Sequence, residues 1–404
     1  MIILAIETSC DETSVAIVKA TTIVGSYKFE ILSNIVLSQI KIHARWGGVV
    51  PSLAKREHSK NLILILKKAL IKAKLPNEKG KTQSAKQQLK TQNNIKNILK
   101  REPELLKQFL EFIPRIKKPK IDAIAVTVGP GLEPALWVGI NFAKALSLVW
   151  DKPIVAVNHM EGHIVASLLS EKRKTKSEKK IKFPALTLLV SGGHTELVII
   201  KKWGDYKIIG ETRDDAAGEA FDKTARMLGL PYPGGPAIAK MANNLKSKNK
   251  NLKIHLPRPM IDSKDHDFSF SGLKTAVFYL IKDLSEAKKY GSRHFPGEAT
   301  VATICGEIQQ AIIDVLIAKT IKAAREFEVK AIILGGGVVA NKELRRQMKK
   351  AVEVKLPSTA LYLPSPKLTT DNAAMIAAAG YLRVLNNDFT QSIKIKAQGN
   401  LTFK

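Results

Sequence analysis

The chain reads as an α/β protein in which one fold is written twice, giving two lobes around a central cleft. Three recurrences carry that reading. Three strand-like runs open the chain, IILAIET, SVAIVKA and FEILSNIVL, and three more, LTLLV, ELVIIKKW and YKIIGET, fill residues 186–211. A short apolar run, a Gly-rich turn and a helix then follow in each half: IDAIAVTV with GPGL in the first, AIILGGGVVAN with KELRRQMKKAV in the second. Finally PIVAVNH in the first half is matched by LYLPSPKLTTD in the second. The expected division is an N-terminal lobe over 1–170 and a C-terminal lobe over 171–404.

Taken in order, the first strands are joined by the polar turn SCDET, which holds Asp11 and Glu12. Leucines and isoleucines at three- and four-residue steps predict a helix in SLAKREHSKNLILILKKALIKA. Residues 79–118 lose that pattern, are rich in Lys, Gln and Asn, and read as an insertion that the core can close without. Within them ELLKQFLEFI keeps weak helical spacing. A helix is expected from about Pro134, and another in HIVASLLSE after PIVAV.

A chain of 404 residues, 45% apolar, can bury two cores. Its two cysteines, Cys10 and Cys305, stand far apart and form no metal or redox pair, which favours a reducing, cytoplasmic setting. No basic leader precedes the first apolar run, which is cut at Glu7. The apolar stretch ALWVGINFAKALSLVW carries Lys144 in its middle, so no membrane association is expected. The net charge is +29, and three stretches, 79–118, 171–182 and 240–253, hold eighteen of those charges. So concentrated an excess points to a polyanionic partner.

Chemistry first shows at HMEGH. On a helix His159 and His163 stand about 40° apart around the axis, so both can grip one metal ion. Glu161 lies about 200° away from His159 and points elsewhere, unlike the glutamate of the HExxH zinc peptidases. A third ligand is sought downstream, and Asp371 in TTDNAAM, between an apolar run and a helix, is the best candidate. In the duplicated fold it falls in the second half where His159 falls in the first, and both would face the cleft. Three Gly-rich turns, SGGHT (191–195), YPGGP (232–236) and LGGGVVAN (334–341), offer backbone N–H groups to a phosphate.

The motifs IETSCDET, HARWGGVVPSLAKREH, GPGL, HMEGH, LLVSGGHTEL, DDAAGEAFDKTARMLGLPYPGGP, DFSFSGLKT, GGGVVAN and TDNAAMIAAAG stand in that order. Together they resemble the bacterial tRNA N6-adenosine threonylcarbamoyltransferase family, long called O-sialoglycoprotein endopeptidases or glycoproteases. The resemblance covers almost the whole chain except 79–118. It implies the actin-like, sugar-kinase and heat-shock ATPase (ASKHA) fold. It also implies transfer of threonylcarbamoyl from threonylcarbamoyl-AMP to the exocyclic amine of the adenosine 3′ of the anticodon, in tRNAs reading codons that begin with adenine.

The same resemblance implies one divalent metal, iron(II) first and zinc(II) as the alternative, on His159, His163 and Asp371. It places the adenylate on Leu189, Val190, Ser191, Gly192, Gly193, Asp222, Gly235 and Asn341, and the acidic pair Asp11 and Glu12 near the reacting centre. The SGG backbone can donate to phosphate or carboxylate oxygens, Asp222 suits a ribose hydroxyl pair, and Asn341 suits a polar edge of the nucleotide. Read without the family, Asp222 is equally a solvated helix residue and Asn341 a helix cap. Helper proteins are implied too, an inactive paralogue and a small ATPase. Two other functions stay open on the residues alone: a metallopeptidase at HMEGH, or a non-catalytic ATP-binding scaffold.

Overall fold

The computed structural model describes residues 1–23, 26–75, 85–169, 181–243, 253–286 and 297–403. Most of the basic stretches 171–182 and 240–253, and residues 79–84, lie outside the described residues. Two compact units emerge, one of Met1–His43, Val49–Lys180 and Thr370–Phe403, the other of Ala44–Gly48, Ile181–Thr369 and Lys404.

In chain order the first unit contains β1 (Ile2–Glu7), β2 (Glu12–Ile23), β3 (Ser26–Ser38), α1 (Ile40–His43), α2 (Pro51–Ala73), α3 (Ala85–Ile98), α4 (Pro103–Phe112), β4 (Ala123–Gly129), α5 (Glu133–Trp150), β5 (Ile154–Asn158) and α6 (His159–Val165). The second contains β6 (Ala185–Val190), β7 (Thr195–Lys202), β8 (Asp205–Glu211), α7 (Ala217–Met227), α8 (Gly234–Ala242), α9 (Ser271–Glu286), α10 (Glu298–Glu326), β9 (Ala331–Gly335), α11 (Lys342–Lys355) and β10 (Ala360–Tyr362). The chain then returns to the first unit with α12 (Ala373–Leu385).

The expected duplication is present strand by strand. The first sheet has the order β3-β2-β1-β4-β5, and the second, read from its other edge, β8-β7-β6-β9-β10. In each, the meander pairs antiparallel and the two later strands pair parallel. β4 is buried along its whole length, as a strand covered on both faces must be, which explains its unbroken apolar run. Glu12 is the first residue of β2, so the turn expected from SCDET is shorter than the motif.

The division at residue 170 needs correction at the C-terminal end. α12, AAMIAAAGYLRVL, is apolar almost all round and therefore has to be enclosed. It packs on β1, β2, β5 and α6 of the first unit. Small residues permit the approach: a Cβ on Gly380 would lie 2.7 Å from Cβ of Ala125, and one on Gly162 of α6 would lie 2.8 Å from Cδ1 of Ile376. On the opposite face of the sheet, Leu4, Ile6, Ile124 and Val126 form a core with Leu62, Leu66, Leu136 and Phe142 from α2 and α5.

The insertion also differs from expectation. α3, the turn after it and α4 send Ile95, Leu99, Leu105 and Phe109 into that same core, with Phe109 edge-on to Phe142 at 6.1 Å. The segment's polar composition hid these few apolar anchors. α10, the longest helix, is apolar and long enough to cross a membrane by composition, yet its apolar side chains fill the core of the second unit.

Candidate active site

Asn158 ends β5 and caps α6, its side chain accepting from the N–H groups of Met160 at 2.8 Å and Glu161 at 3.4 Å. That cap starts the helix at His159, so the two histidines fall on one face as their spacing predicts. Their ring centroids are 4.7 Å apart and nearly perpendicular. Asn372 caps α12 in the same way, accepting from Met375 N–H at 3.2 Å, and Asp371 stands just ahead of it. Nε2 of His159 lies 3.4 Å and Nε2 of His163 lies 3.1 Å from Oδ1 of Asp371. One ligand atom from each of the three sits within 4.8 Å of the others.

The cluster fits a divalent cation on three counts. First, both ring nitrogens of His163 are buried and neither has a hydrogen-bond partner among the described residues, despite the short distance to Asp371. Two ring nitrogens that converge on one carboxylate oxygen share a point that a cation can occupy. Second, burial opposes charge on His159, but the Asp371 and Glu7 carboxylates outweigh it and raise its pKa well above the ordinary value, so the surroundings demand a positive charge there. Burial lowers the pKa of His163, which keeps a neutral ring available as a ligand. Third, two imidazoles and one carboxylate suit iron(II) or zinc(II).

Glu7 was not singled out from sequence, and it completes the cluster. Its Oε2 lies 3.0 Å from Nδ1 of His159 and accepts from Thr127 Oγ1 at 2.7 Å, while Ser9 Oγ lies 3.2 Å from the same ring nitrogen. Burial works against its charge, but His159 holds Glu7 below the usual carboxylate range. This arrangement fixes the ring and leaves Nε2 facing Asp371. The only sequence signal is a carboxylate ending an otherwise apolar strand. Glu161, by contrast, is buried against Arg383 of α12, its Oε2 accepting from Nε at 2.7 Å.

Asp11 and Glu12 lie within the electrostatic reach of Asp371. Burial, Asp371 and Asp11 push Glu12 up to about 10, while Glu12 Oε1 accepts from Ser38 Oγ at 3.2 Å. Burial raises Asp11 as well, so the pair together resists carrying two negative charges. Ser9 O accepts from Leu132 N–H at 2.7 Å, which ties the GPGL turn to this loop, and Gly131 has no room for a Cβ there, 2.6 Å from that oxygen.

The predicted nucleotide residues all belong to the second unit. Leu189 and Val190 end β6, and the Ser191 turn that follows is closed by Ser191 N–H to His194 O at 2.8 Å and by His194 N–H to Ser191 Oγ at 3.2 Å. Neighbouring backbones crowd the turn. A Cβ on Gly218 of α7 would meet Ser191 O at 2.4 Å, and one on Gly336, whose φ is +94°, would meet Val190 O at 2.3 Å. Gly192, Gly193 and Gly337 instead face open space, and Gly235 meets nothing nearer than 3.9 Å. Packing therefore requires Gly218 and Gly336 to be glycine and leaves the others free for a ligand's approach.

Asp222 is not a solvated helix residue. Its carboxylate accepts from the first amides of α8, Gly234 N–H at 2.6 Å and Gly235 N–H, and burial raises its pKa. Asn341 caps α11, accepting from Glu343 N–H at 2.9 Å and Leu344 N–H at 3.1 Å, while its Nδ2 donates to Gln309 at 2.9 Å. Both side chains are thus held in one orientation by structural bonds.

The two units define a duplicated α/β protein with a cluster of two buried histidines and one aspartate in one unit and an open glycine turn in the other. Residues 30–80 and 94–378 match the family model for tRNA N6-adenosine threonylcarbamoyltransferase. Proteins of that name from Syntrophomonas wolfei, Bacillus subtilis and Thermosipho africanus are similar to the chain. They are 43, 44 and 42% identical to it over 388, 380 and 381 residues. Those matches cover 96, 94 and 94% of this chain and 94, 90 and 94% of the respective relatives. The chain belongs to the tRNA N6-adenosine threonylcarbamoyltransferase family. Only residues 81–93 interrupt the family match internally, a much shorter insertion than the 79–118 read from composition.

Proposed function

We propose that this protein transfers the threonylcarbamoyl group of threonylcarbamoyl-AMP to the exocyclic amine of the adenosine 3′ of the anticodon, in tRNAs that read codons beginning with adenine. The observation that carries the reading is the family match along nearly the whole chain. The fold is then of the actin-like, sugar-kinase and heat-shock ATPase type, to which two mixed sheets of identical topology correspond. The setting is cytoplasmic, and an inactive paralogue and a small ATPase assist turnover.

In this reaction the amine nitrogen forms a bond to the carbamoyl carbon, the bond from that carbon to the phosphate oxygen breaks, AMP departs, and the amine loses a proton. His159, His163 and Asp371 would hold iron(II), or zinc(II), with Glu7 setting the His159 ring. The metal, when bound, supplies Lewis-acid polarisation of the donor. Gly192 and Gly193 let backbone N–H groups approach the adenylate phosphate, while Asp222 and Asn341 hold the nucleoside at fixed orientation. The acidic pair Asp11 and Glu12, both raised by burial, receives the amine proton. AMP is a good leaving group, so the protein's contribution is orientation and charge stabilisation.

The peptidase reading needs a general base at Glu161, and that carboxylate is spent on Arg383. A nucleotide-binding scaffold would hold magnesium on carboxylates and has no use for two buried imidazoles. The test is to incubate the purified protein and its helpers with unmodified tRNA and synthetic threonylcarbamoyl-AMP, then digest the tRNA and look for the modified nucleoside. Formation of the nucleoside by wild type and its loss in Asp371→Ala are expected; no product with any helper combination would sink the proposal.

A further inference from the structure

We infer that the outer helical layer of the first unit, centred on α3, is a docking face for the phosphate backbone of a tRNA arm. The inference rests on the proposed tRNA activity and adds the surface that carries the RNA. Three observations converge on it. α3, AKQQLKTQNNIKNI, has no acidic residue, and its first nine residues fall in the one internal stretch that the family model does not match, so no role comes to them from the family. The helix is also strictly one-sided. Ile95 enters the core beside α5, followed just past the helix end by Leu99, whereas Lys90 stands about 140° from Ile95 and is exposed together with Gln92, Asn93, Lys96, Asn97 and, beyond the helix end, Lys100.

Charge on the surrounding layer has been sorted by the fold. Among the described residues from 51 to 120, fourteen Lys and Arg are exposed against two exposed acids, Glu104 and Glu111. Lys90, Lys96 and Lys100 make no ion pair with any described residue, so their charges are uncompensated. Protein interfaces are depleted of lysine and centre on aromatic or arginine anchors. Here the exposed apolar side chains are scattered aliphatics, Leu64, Ile71 and Leu89. Flexible point charges interleaved with amides suit phosphate and ribose oxygens, which position an RNA without reading its sequence.

Counterion release provides the readout, since each phosphate contact contributes roughly 0.7–0.9 to the slope of log affinity against log salt. The variant Lys90→Gln/Lys96→Gln/Lys100→Gln changes only exposed side chains, and Arg101 is kept because its charge acts on the buried Glu102 carboxyl. Labelled unmodified tRNA is titrated against the full-length wild type and variant at several salt concentrations. The expected variant slope is shallower by about two, with weaker binding at low salt that converges on wild type near 1 M. KM for tRNA rises while kcat, thermal unfolding and metal content stay at wild-type values. Parallel lines of equal affinity overturn the inference, and if the same variant then loses affinity for its helper proteins, the face belongs to a protein. Failure of the wild type itself to bind tRNA would remove the proposed function along with this face.

Discussion

Oε2 of Glu7 sits 3.0 Å from Nδ1 of His159, and Glu7 is completely buried. A carboxylate in that position fixes the imidazole's orientation and strengthens its other nitrogen as a ligand. Glu7→Gln should therefore lower metal affinity about 10- to 100-fold while leaving the three ligands in place. Asp371→Ala removes a ligand and should leave dialysed protein with little metal. Elemental analysis and competition with a chelator separate the two, and wild-type affinity in Glu7→Gln would show that the contact has no bearing on the metal.

The glycines of the second unit divide by the space around them. Gly218→Ala forces a Cβ to within 2.4 Å of Ser191 O and should destabilise the fold by about 1–3 kcal/mol, the usual scale of overpacking. Gly235→Val meets no crowding of that kind and should keep wild-type thermal unfolding, yet abolish adenylate binding in calorimetry. A Gly235→Val protein that binds the adenylate normally would move the pocket elsewhere.

His58 is fully buried, with Nδ1 2.8 Å from Thr13 Oγ1 and Nε2 2.9 Å from Cys10 O. Burial lowers its pKa from 6.5 to about 4. Because the folded value lies below the unfolded one, the unfolded chain takes up the proton first as pH falls. The stability contribution is complete above pH 6.5 and is lost between there and about 4. The loss is on the order of 3 kcal/mol. Urea unfolding of wild type and His58→Gln from pH 8 to pH 4 should show the variant's stability falling less steeply across that window.

Phe109 lies in the segment whose composition reads as dispensable, and it is buried against Phe142. Phe109→Ala should cost about 3–5 kcal/mol, as loss of a core aromatic does. Chemical denaturation measures it directly, and a change below about 1 kcal/mol would restore the view that the core closes without α4.

How much of this was legible beforehand follows from the range of each interaction. The duplicated strand pattern could be read along the chain because alternation and apolar runs are local properties, and both sheets share one strand order. The i, i+4 histidine pair was equally legible, since α6 fixes its geometry within one helical turn. Asp371 could be named as a partner but not located. Its position depends on α12, whose all-round apolar surface says that it is enclosed without saying by which sheet. Only the fit of Gly380 over Ala125 and of Gly162 under Ile376 decides that it returns to the first unit. Asn341 could be read as a cap, but Glu7, the pairing of Glu161 with Arg383 and the bond from Asp222 to the start of α8 stayed hidden for a related reason. A carboxylate or amide in sequence carries no sign of the donor it will meet after folding. Net charge was plain from composition, but the exposure of the basic residues of 51–120 on one helical layer required the apolar residues of α3 and α4 to choose their buried side. Covalent order sets periodicity and short-range pairs; burial of surface between segments distant in the chain sets which groups meet, because that free energy depends on shapes that exist only once the sheets have formed.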